Sequence, residues 1–496
     1  MKLPKNFIFA ASTCAFQIEG GRNLGGRTSS IWDEFTERNY YIPPAGRPGR
    51  EINSIKEAAD FYTKYKTDAR IMKRLGLQGF VYNMDWTRIF PKNSTEVNPE
   101  GVKFYDDVFK TLTENNVQPI PILYHWDTPL WAEIQGGFEN REVLEWFCKY
   151  VQTVFKYLGK YSKIWFVNDE NSTFTLLGYL DDYLPPAKKN KTSFVKALHH
   201  LHLTGAIAKE EFELAKKAGY VSPDAMLGID HDWSPAIPYQ KDDESVVKKY
   251  DKWFKNLFLD PNLKGTYPPE FLTWINENNI DYQILSADLE FLKKHPLDLI
   301  GWNYYRPCYI TKGDYQEQPG EMQNESATFF VKDFKQVFPK KNVRYTKWNW
   351  IIDPSMLVTG AKVLAEEYHK PLMIIENGMG AFDDKTHELI IDEERIEYLA
   401  LHINEVKKAV AQGINFIGYS LWTYCDIYSP SGGYRKDYGL VAVDFNSKTK
   451  TRKPKLSYVW YQRVITSGGE NLVYNDLDNL KKLLTTELST WDIWYQ

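Results

Sequence analysis

Short apolar runs alternate with longer amphipathic stretches in this chain, and that alternation limits the fold more than any other feature. Gly79 to Met84 follows a helical pattern over Ala58 to Leu75, Pro119 to Tyr124 follows Val102 to Asn115, and Ile164 to Val167 follows Glu142 to Leu158. The short runs read as strands buried on both faces, the long ones as helices packed across them. Such repetition predicts βα units and a parallel sheet.

Two glutamates stand out against this background, Glu170 in Val167-Asn-Asp-Glu-Asn171 and Glu376 in Ile374-Ile-Glu-Asn-Gly378. Leu372 to Ile375 is another buried-strand signal and Asn377-Gly378 a turn signal, so Glu376 falls at the C-terminal end of a strand, where barrel enzymes keep catalytic residues. Two carboxyls facing each other across a cleft suit glycosidic bond cleavage. One protonates the leaving oxygen while the other, ionised, attacks or stabilises the sugar carbon. Taken alone, a strand-end glutamate is more often a turn cap.

Seven segments in collinear order carry a family resemblance over roughly the first 465 residues: Phe16-Gln-Ile-Glu-Gly20, Ser30-Ile-Trp-Asp33, Trp86-Thr-Arg-Ile-Phe-Pro91, Leu123-Tyr-His-Trp-Asp-Thr-Pro129, Gly301-Trp-Asn-Tyr-Tyr305, Ile374 to Gly378 and Gly418-Tyr-Ser-Leu-Trp422. The chain resembles the family one glycoside hydrolases, the β-glucosidase and 6-phospho-β-glycosidase group. The resemblance implies an α/β fold, a single-domain (β/α)8 TIM barrel with long βα loops over residues 1–468, followed by a C-terminal helical extension over 469–496. Length alone would suggest two or three domains, but barrels with long loops pass ~250 residues as one unit. Glu37 to Asn53 and Lys312 to Tyr345 read as long loops over the barrel mouth.

By the same resemblance Glu170 is the acid/base and Glu376 the nucleophile of a retaining mechanism, with carboxyls about 5 to 5.5 Å apart. Gln17 and His125 match positions that bind sugar hydroxyls, and Trp422 matches the platform under the ring. Asn303 brings an amide towards the site, Tyr305 brings a phenol to the nucleophile, and Trp350 matches the aglycone wall. After Trp422, ordinary β-glucosidases carry a Glu-Trp pair. This chain reads Asp426-Ile-Tyr-Ser-Pro-Ser-Gly-Gly-Tyr-Arg-Lys-Asp-Tyr438 instead. That is similar to the 6-phospho-β-glycosidases, with Ser429, Lys436 and Tyr438 at the spacing of their phosphate ligands. A lysine and hydroxyl donors suit a phosphate dianion that a glutamate would repel. Pro430 stands where phosphogalactosidases carry tryptophan, which leans the reading towards glucose configuration.

Departures from the family pattern sit inside these motifs. Phe80-Val-Tyr-Asn-Met-Asp-Trp86 places Val81 where an arginine supports the nucleophile, and Asp169 replaces the asparagine that binds the 2-hydroxyl. Losing a cation and gaining an acid beside two glutamates pushes carboxyl pKa values upward. Asp169 would accept from a 2-hydroxyl or pair with a 2-amino group, unless Asn168 takes the asparagine's role through a shifted backbone.

Net charge is −4 with both signs interspersed, giving no argument for nucleic acid or an anionic membrane as partner. The aromatic content of 15% suits stacking on sugar rings, although most rings belong to a core. Cys14, Cys148, Cys308 and Cys425 show no paired spacing and fit a reducing compartment. No run reaches membrane-span length, and the apolar Phe7 to Phe16 stretch is broken by Ser12 and Thr13, so a cytoplasmic protein is expected. No cofactor or metal is expected. His199, His200 and His202 share a helix without sequence-near carboxylate or cysteine partners and read as surface residues, and Gly20 to Gly26 reads as a turn.

Past Ile465, Asn475 is placed to cap a helix bearing Leu477, Leu480, Leu484 and Leu488 on one face, followed by Trp491, Ile493, Trp494 and Tyr495. That stripe either packs back on the barrel or joins copies of the chain into a homo-oligomer. The expected partner is thus a small phosphorylated β-glycoside, the expected enzyme 6-phospho-β-glucosidase-like. The alternatives are a β-glucosidase for unphosphorylated substrates, a hydrolase for a C2-modified phosphosugar, and a weakened sugar-phosphate binding protein.

Overall fold

A computed structural model describes residues 2–37, 54–313, 331–339 and 341–495. Eight parallel strands close into a barrel: β1 Ile8–Thr13, β2 Gly79–Asn83, β3 Gln118–Tyr124, β4 Ile164–Asn168, β5 Met226–His231, β6 Leu299–Asn303, β7 Leu372–Glu376 and β8 Phe416–Trp422. They neighbour one another in chain order, and β1 pairs with β8 to seal the seam. The expected strands are present within a residue or two. Their alternate side chains divide between two apolar regions: Ala10, Val81, Ile120, Phe166, Leu299, Met373 and Ile375 fill the barrel interior, while the opposite faces meet the helices. Gly301 is needed there, because a Cβ would lie 2.7 Å from both Ile375 and Phe166.

Helix ends differ from expectation for local reasons. The helix expected from Ala58 begins at Phe61, since Ala58 and Asp60 both take left-handed backbone (φ 44° and 55°). The next begins at Pro99 rather than Val102, because the Asn98 side chain accepts from the Glu100 amide and proline suits the first helical position.

The histidine trio is a correction. His199, His200 and His202 lie on the helix Lys191–Lys217 but are buried. His199 bonds Tyr267 Oη at 2.9 Å and Asp288 at 3.0 Å, His200 bonds the Phe138 carbonyl at 2.7 Å, and His202 bonds Tyr267 Oη at 2.8 Å. The expected loop from Glu37 to Asn53 lies, beyond Glu37, outside the described residues, as do 314–330 and 340 of the second loop. The described part of the second is not all loop: Phe334–Val337 pairs antiparallel with Cys308–Lys312.

The C-terminal helix spans Leu477–Thr490, with Asp476 at its N-cap making no side-chain capping bond, so Asn475 does not cap it. Leu480, Leu484, Leu488, Ile493 and Trp494 are buried, and the segment packs on the last barrel helix, Leu456–Thr466. Trp494 meets Tyr458 edge-on at 5.4 Å, Arg74 pairs with Glu487 at 2.8 Å, and Arg74 covers the Trp491 ring. The apolar stripe is therefore spent within one copy of the chain.

Candidate active site

The C-terminal strand ends surround one cavity of about 310 Å³, lined by Gln17, His125, Asp169, Glu170, Asn303, Tyr305, Trp350, Glu376, Trp422, Ser429 and Tyr438 among others. Of the residues predicted from sequence, only Lys436 does not face it.

Glu376 closes β7 and is buried. Its position is fixed from behind: Asn377 Nδ2 donates to the Tyr304 carbonyl at 2.6 Å, Tyr419 Oη donates to Asn377 Oδ1 at 2.6 Å, and a Cβ at Gly378 would meet the Trp422 carbonyl at 1.9 Å. The Glu-Asn-Gly run is thus a strand end clamped by its two neighbours. Tyr305 Oη donates to Glu376 Oε2 at 2.5 Å. Burial raises the Glu376 pKa well above the usual carboxylate range, the charge of Asp169 adds to the rise, and the tyrosine bond opposes it.

Glu170 follows β4 with left-handed backbone, φ 38°, which turns its side chain into the cavity ahead of the helix Asn171–Thr175. Asn303 Nδ2 donates to Glu170 Oε1 at 2.9 Å and, less closely, to Asp169 Oδ1 at 3.4 Å. Desolvation, then the nearby Asp232, Asp169 and Glu376, push the Glu170 pKa well up.

Asp169 is held by His125, whose Nε2 lies 3.1 Å from Asp169 Oδ2. Burial lowers the His125 pKa to about 3, so the imidazole is neutral and donates to the carboxylate. Asn168 does not take over the asparagine position. Its amide turns away to the Leu201 carbonyl and the Thr204 hydroxyl. Gln17 Nε2 donates to the Tyr428 carbonyl at 2.8 Å, tying β1 to the loop after β8. The Trp422 ring lies 6.4 Å from that of His125, nearly parallel, and the Trp350 ring meets Tyr305 edge-on at 5.2 Å.

Ser429 and Tyr438 face the cavity, joined by Pro430 and Ser431. Lys436 is buried behind them, its Nζ donating to Ser431 Oγ at 3.3 Å and lying 4.2 Å from the Trp350 ring centre and 4.9 Å from that of Trp348. An ion-pair network anchors this loop: Lys455 bridges Asp383 and Asp426, Lys385 bridges Asp426 and Asp437, and Asp426 accepts from the Gly439 amide. Lys385 and Lys455 hold the Asp426 carboxyl far below its ordinary pKa despite its burial.

Sequence reasoning missed Asp230 and Asp232, at and just after the end of β5. Asp232 lines the cavity and accepts from Ser172 and from Thr173 at 2.8 Å. Asp230 is buried, and its carboxyl oxygens have no hydrogen-bond partner among the described residues; burial, then the charge of Asp169, raises Asp230 well above its ordinary pKa, and burial raises Asp169 to about 7. Val81, in place of the supporting arginine, packs into the apolar barrel interior with Ile375 and Met373 just below Glu376. Among the described residues, ligand atoms of His125, Asp169 and Glu376 lie within 4.8 Å of one another, close enough to enclose a cation.

The family model described as glycosyl hydrolase family 1 matches residues 1–470. The aryl-phospho-β-D-glucosidase BglC of Bacillus subtilis is 33% identical, covering 95% of this chain and 98% of its own. The 6-phospho-β-galactosidase of Clostridium acetobutylicum is 32% identical, covering 93% and 96%. In structure, the β-glucosidase of Exiguobacterium antarcticum superposes with a TM-score of 0.84 at 29% identity, over 94% of this chain and 99% of that one. Barrel, strand-end carboxyls and relatives agree: the chain belongs to glycosyl hydrolase family 1 and is a glycoside hydrolase.

Proposed function

We propose that the protein hydrolyses 6-phospho-β-glycosides with retention, Glu170 serving as acid/base and Glu376 as nucleophile. The observation that carries this reading is a single cavity with both glutamates in its wall and Ser429, Ser431 and Tyr438 at another part of it, backed by Lys436. No acidic residue falls between Ile427 and Lys436, so nothing in that stretch repels a dianion.

Glu170, whose pKa is raised by burial, keeps its proton and delivers it to the leaving oxygen. Glu376 attacks the anomeric carbon from the other face, helped into its ionised form by Tyr305. Glu170, now ionised, then takes a proton from water, which hydrolyses the glycosyl ester on Glu376. Gln17, His125 and Asn303 bind sugar hydroxyls, Trp422 lies under the ring, and Trp350 lines the aglycone side. Cleavage happens in the cytoplasm, where the four unpaired cysteines stay reduced; among the described residues no helix is long and apolar enough to cross a membrane.

The second reading, action on unphosphorylated β-glucosides, draws on a 31% identical β-glucosidase A of Acetivibrio thermocellus. Nitrophenyl β-glucoside 6-phosphate and its unphosphorylated counterpart, assayed with Glu376→Gln as blank, separate the two. Selective cleavage of the phosphorylated compound is expected, and selective cleavage of the other would favour the second reading.

A further inference from the structure

Five carboxyls converge at the ends of β4, β5 and β7: Asp169, Glu170, Asp230 and Glu376, all buried, and Asp232, half-buried. Among the described residues no lysine or arginine lies within ion-pair distance of any of them; their basic neighbours are His125, held neutral by burial, and His231, 3.3 Å from Asp232. Buried negative charge without a counter-ion is costly, and it is relieved by protons or by a cation. Protons account for part: burial raises the Asp230 and Glu170 carboxyls well above the usual range, so each keeps its proton. A working Glu376 must be ionised, which leaves one negative charge on it, one on the aspartate pair and one on Asp232, the last of these met by His231, Ser172 and Thr173.

The charges of Asp169 and Glu376 are adjacent, with carboxyl oxygens of the two within 4.8 Å. An attacking Glu376 oxygen must reach the anomeric carbon of the sugar, so the substituent on the next ring carbon, C2, comes to Asp169. A second acceptor waits there. The buried Asn303 lines the cavity, commits its Nδ2 to Asp169 and Glu170, and has no hydrogen-bond partner for its Oδ1 among the described residues.

We propose that Asp169, backed by Asp230, is an ammonium-binding pair and that the preferred substrates are 2-amino-2-deoxy-β-glycosides, an inference that rests on the glycosidase reading of the site. A 2-ammonium group repels the positive charge that grows on the neighbouring anomeric carbon, which makes such glycosides hard to cleave. A carboxylate against the ammonium cancels that repulsion while Glu376 meets the anomeric carbon. Asp230 is a positioning residue: kept protonated by burial, it leaves the pair at a single negative charge.

The test uses four nitrophenyl β-glucosides, with a hydroxyl or an amino group at C2 and with or without a 6-phosphate, at a pH where the amine is protonated. Wild type is expected to favour the amino sugar in kcat/KM by about tenfold or more, Asp169→Asn to reverse that order, and Asp230→Asn to shrink it. A general loss of structure would lower both rates without reversing them. Equal rates, preference for the hydroxyl, or an amine preference that survives in Asp169→Asn would overturn the inference while leaving the hydrolase reading intact. If no compound is cleaved, the hydrolase reading fails and calorimetry decides the ammonium pair: glucosamine 6-phosphate binding about tenfold tighter than glucose 6-phosphate upholds it, and equal binding overturns it. Zinc or manganese bound tightly by wild type and lost in Asp169→Asn, without amine preference, would assign the place to a metal and overturn it too.

Discussion

The Tyr305 hydroxyl donates to Glu376 Oε2 at 2.5 Å, and among the described residues no lysine or arginine pairs with that carboxylate. Removing this bond by Tyr305→Phe should raise the Glu376 pKa further and move the acidic limb of the kcat/KM profile to higher pH. One hydrogen bond to a charge corresponds to about 1.5–3 kcal/mol, or roughly 10–100-fold in rate on that limb. An unmoved limb would mean that another group sets the charge of Glu376.

Glu170→Gln should lower kcat by about 10²–10⁴ on substrates with poor leaving groups. Nitrophenyl glycosides with the most acidic phenols should lose far less in the first step, because they leave without protonation. A loss that does not depend on the leaving group would argue against Glu170 as the acid.

Ser429→Ala and Lys436→Met should raise KM for 6-phosphorylated substrates about 10–100-fold, since each removes a charge-assisted contact or its support. Values for unphosphorylated substrates should change little. Steady-state kinetics on both series measures the ratio, and equal effects on both would remove the phosphate from this loop.

Asp169 has its pKa raised from an ordinary carboxylate value to about 7 by burial. A raised carboxyl favours folding while protonated, so its stabilisation is complete below about pH 4 and is lost as pH rises towards about 7. Asp169→Asn lacks this titration. Wild type should therefore lose thermal stability relative to the variant between pH 4 and pH 7, which melting curves across that range would register. Parallel pH profiles would contradict the assignment.

We propose that residues 469–496 are a structural accessory rather than part of the catalytic machinery. Leu484→Ala, deep in the tail contact, should cost about 2–5 kcal/mol. Removal after Gly469 should lower the melting temperature while leaving size and low-temperature kcat unchanged, as sizing and assay would show.

Much of the barrel was legible because a buried parallel strand announces itself locally, as Leu372 to Glu376 does. Helix starts were less so. Nothing in the letters shows that Asp60 turns left-handed, and the Asn98 cap needs its particular backbone angles. The histidine trio misled because its partners, Tyr267, Asp288 and Phe138, are remote in sequence and meet only after folding. Asp230 was invisible for the same reason, as a strand-end acid acquires meaning only when β4 brings Asp169 against it. Lys436 was found through the family resemblance, whereas its aromatic enclosure by Trp348 and Trp350 was not.

The seam where β1 meets β8 joins the beginning of the chain to nearly its end, and the Arg74–Glu487 pair with Trp494 on Tyr458 lies across the same neighbourhood. On the ribosome, then, β1 must wait with an open edge while more than four hundred residues are made. The tail segment joins the helix Phe61–Leu75 to the helix Leu456–Thr466. A chain stalled short of the tail would still carry Glu170 and Glu376, and would be the form that chaperones and proteases meet first.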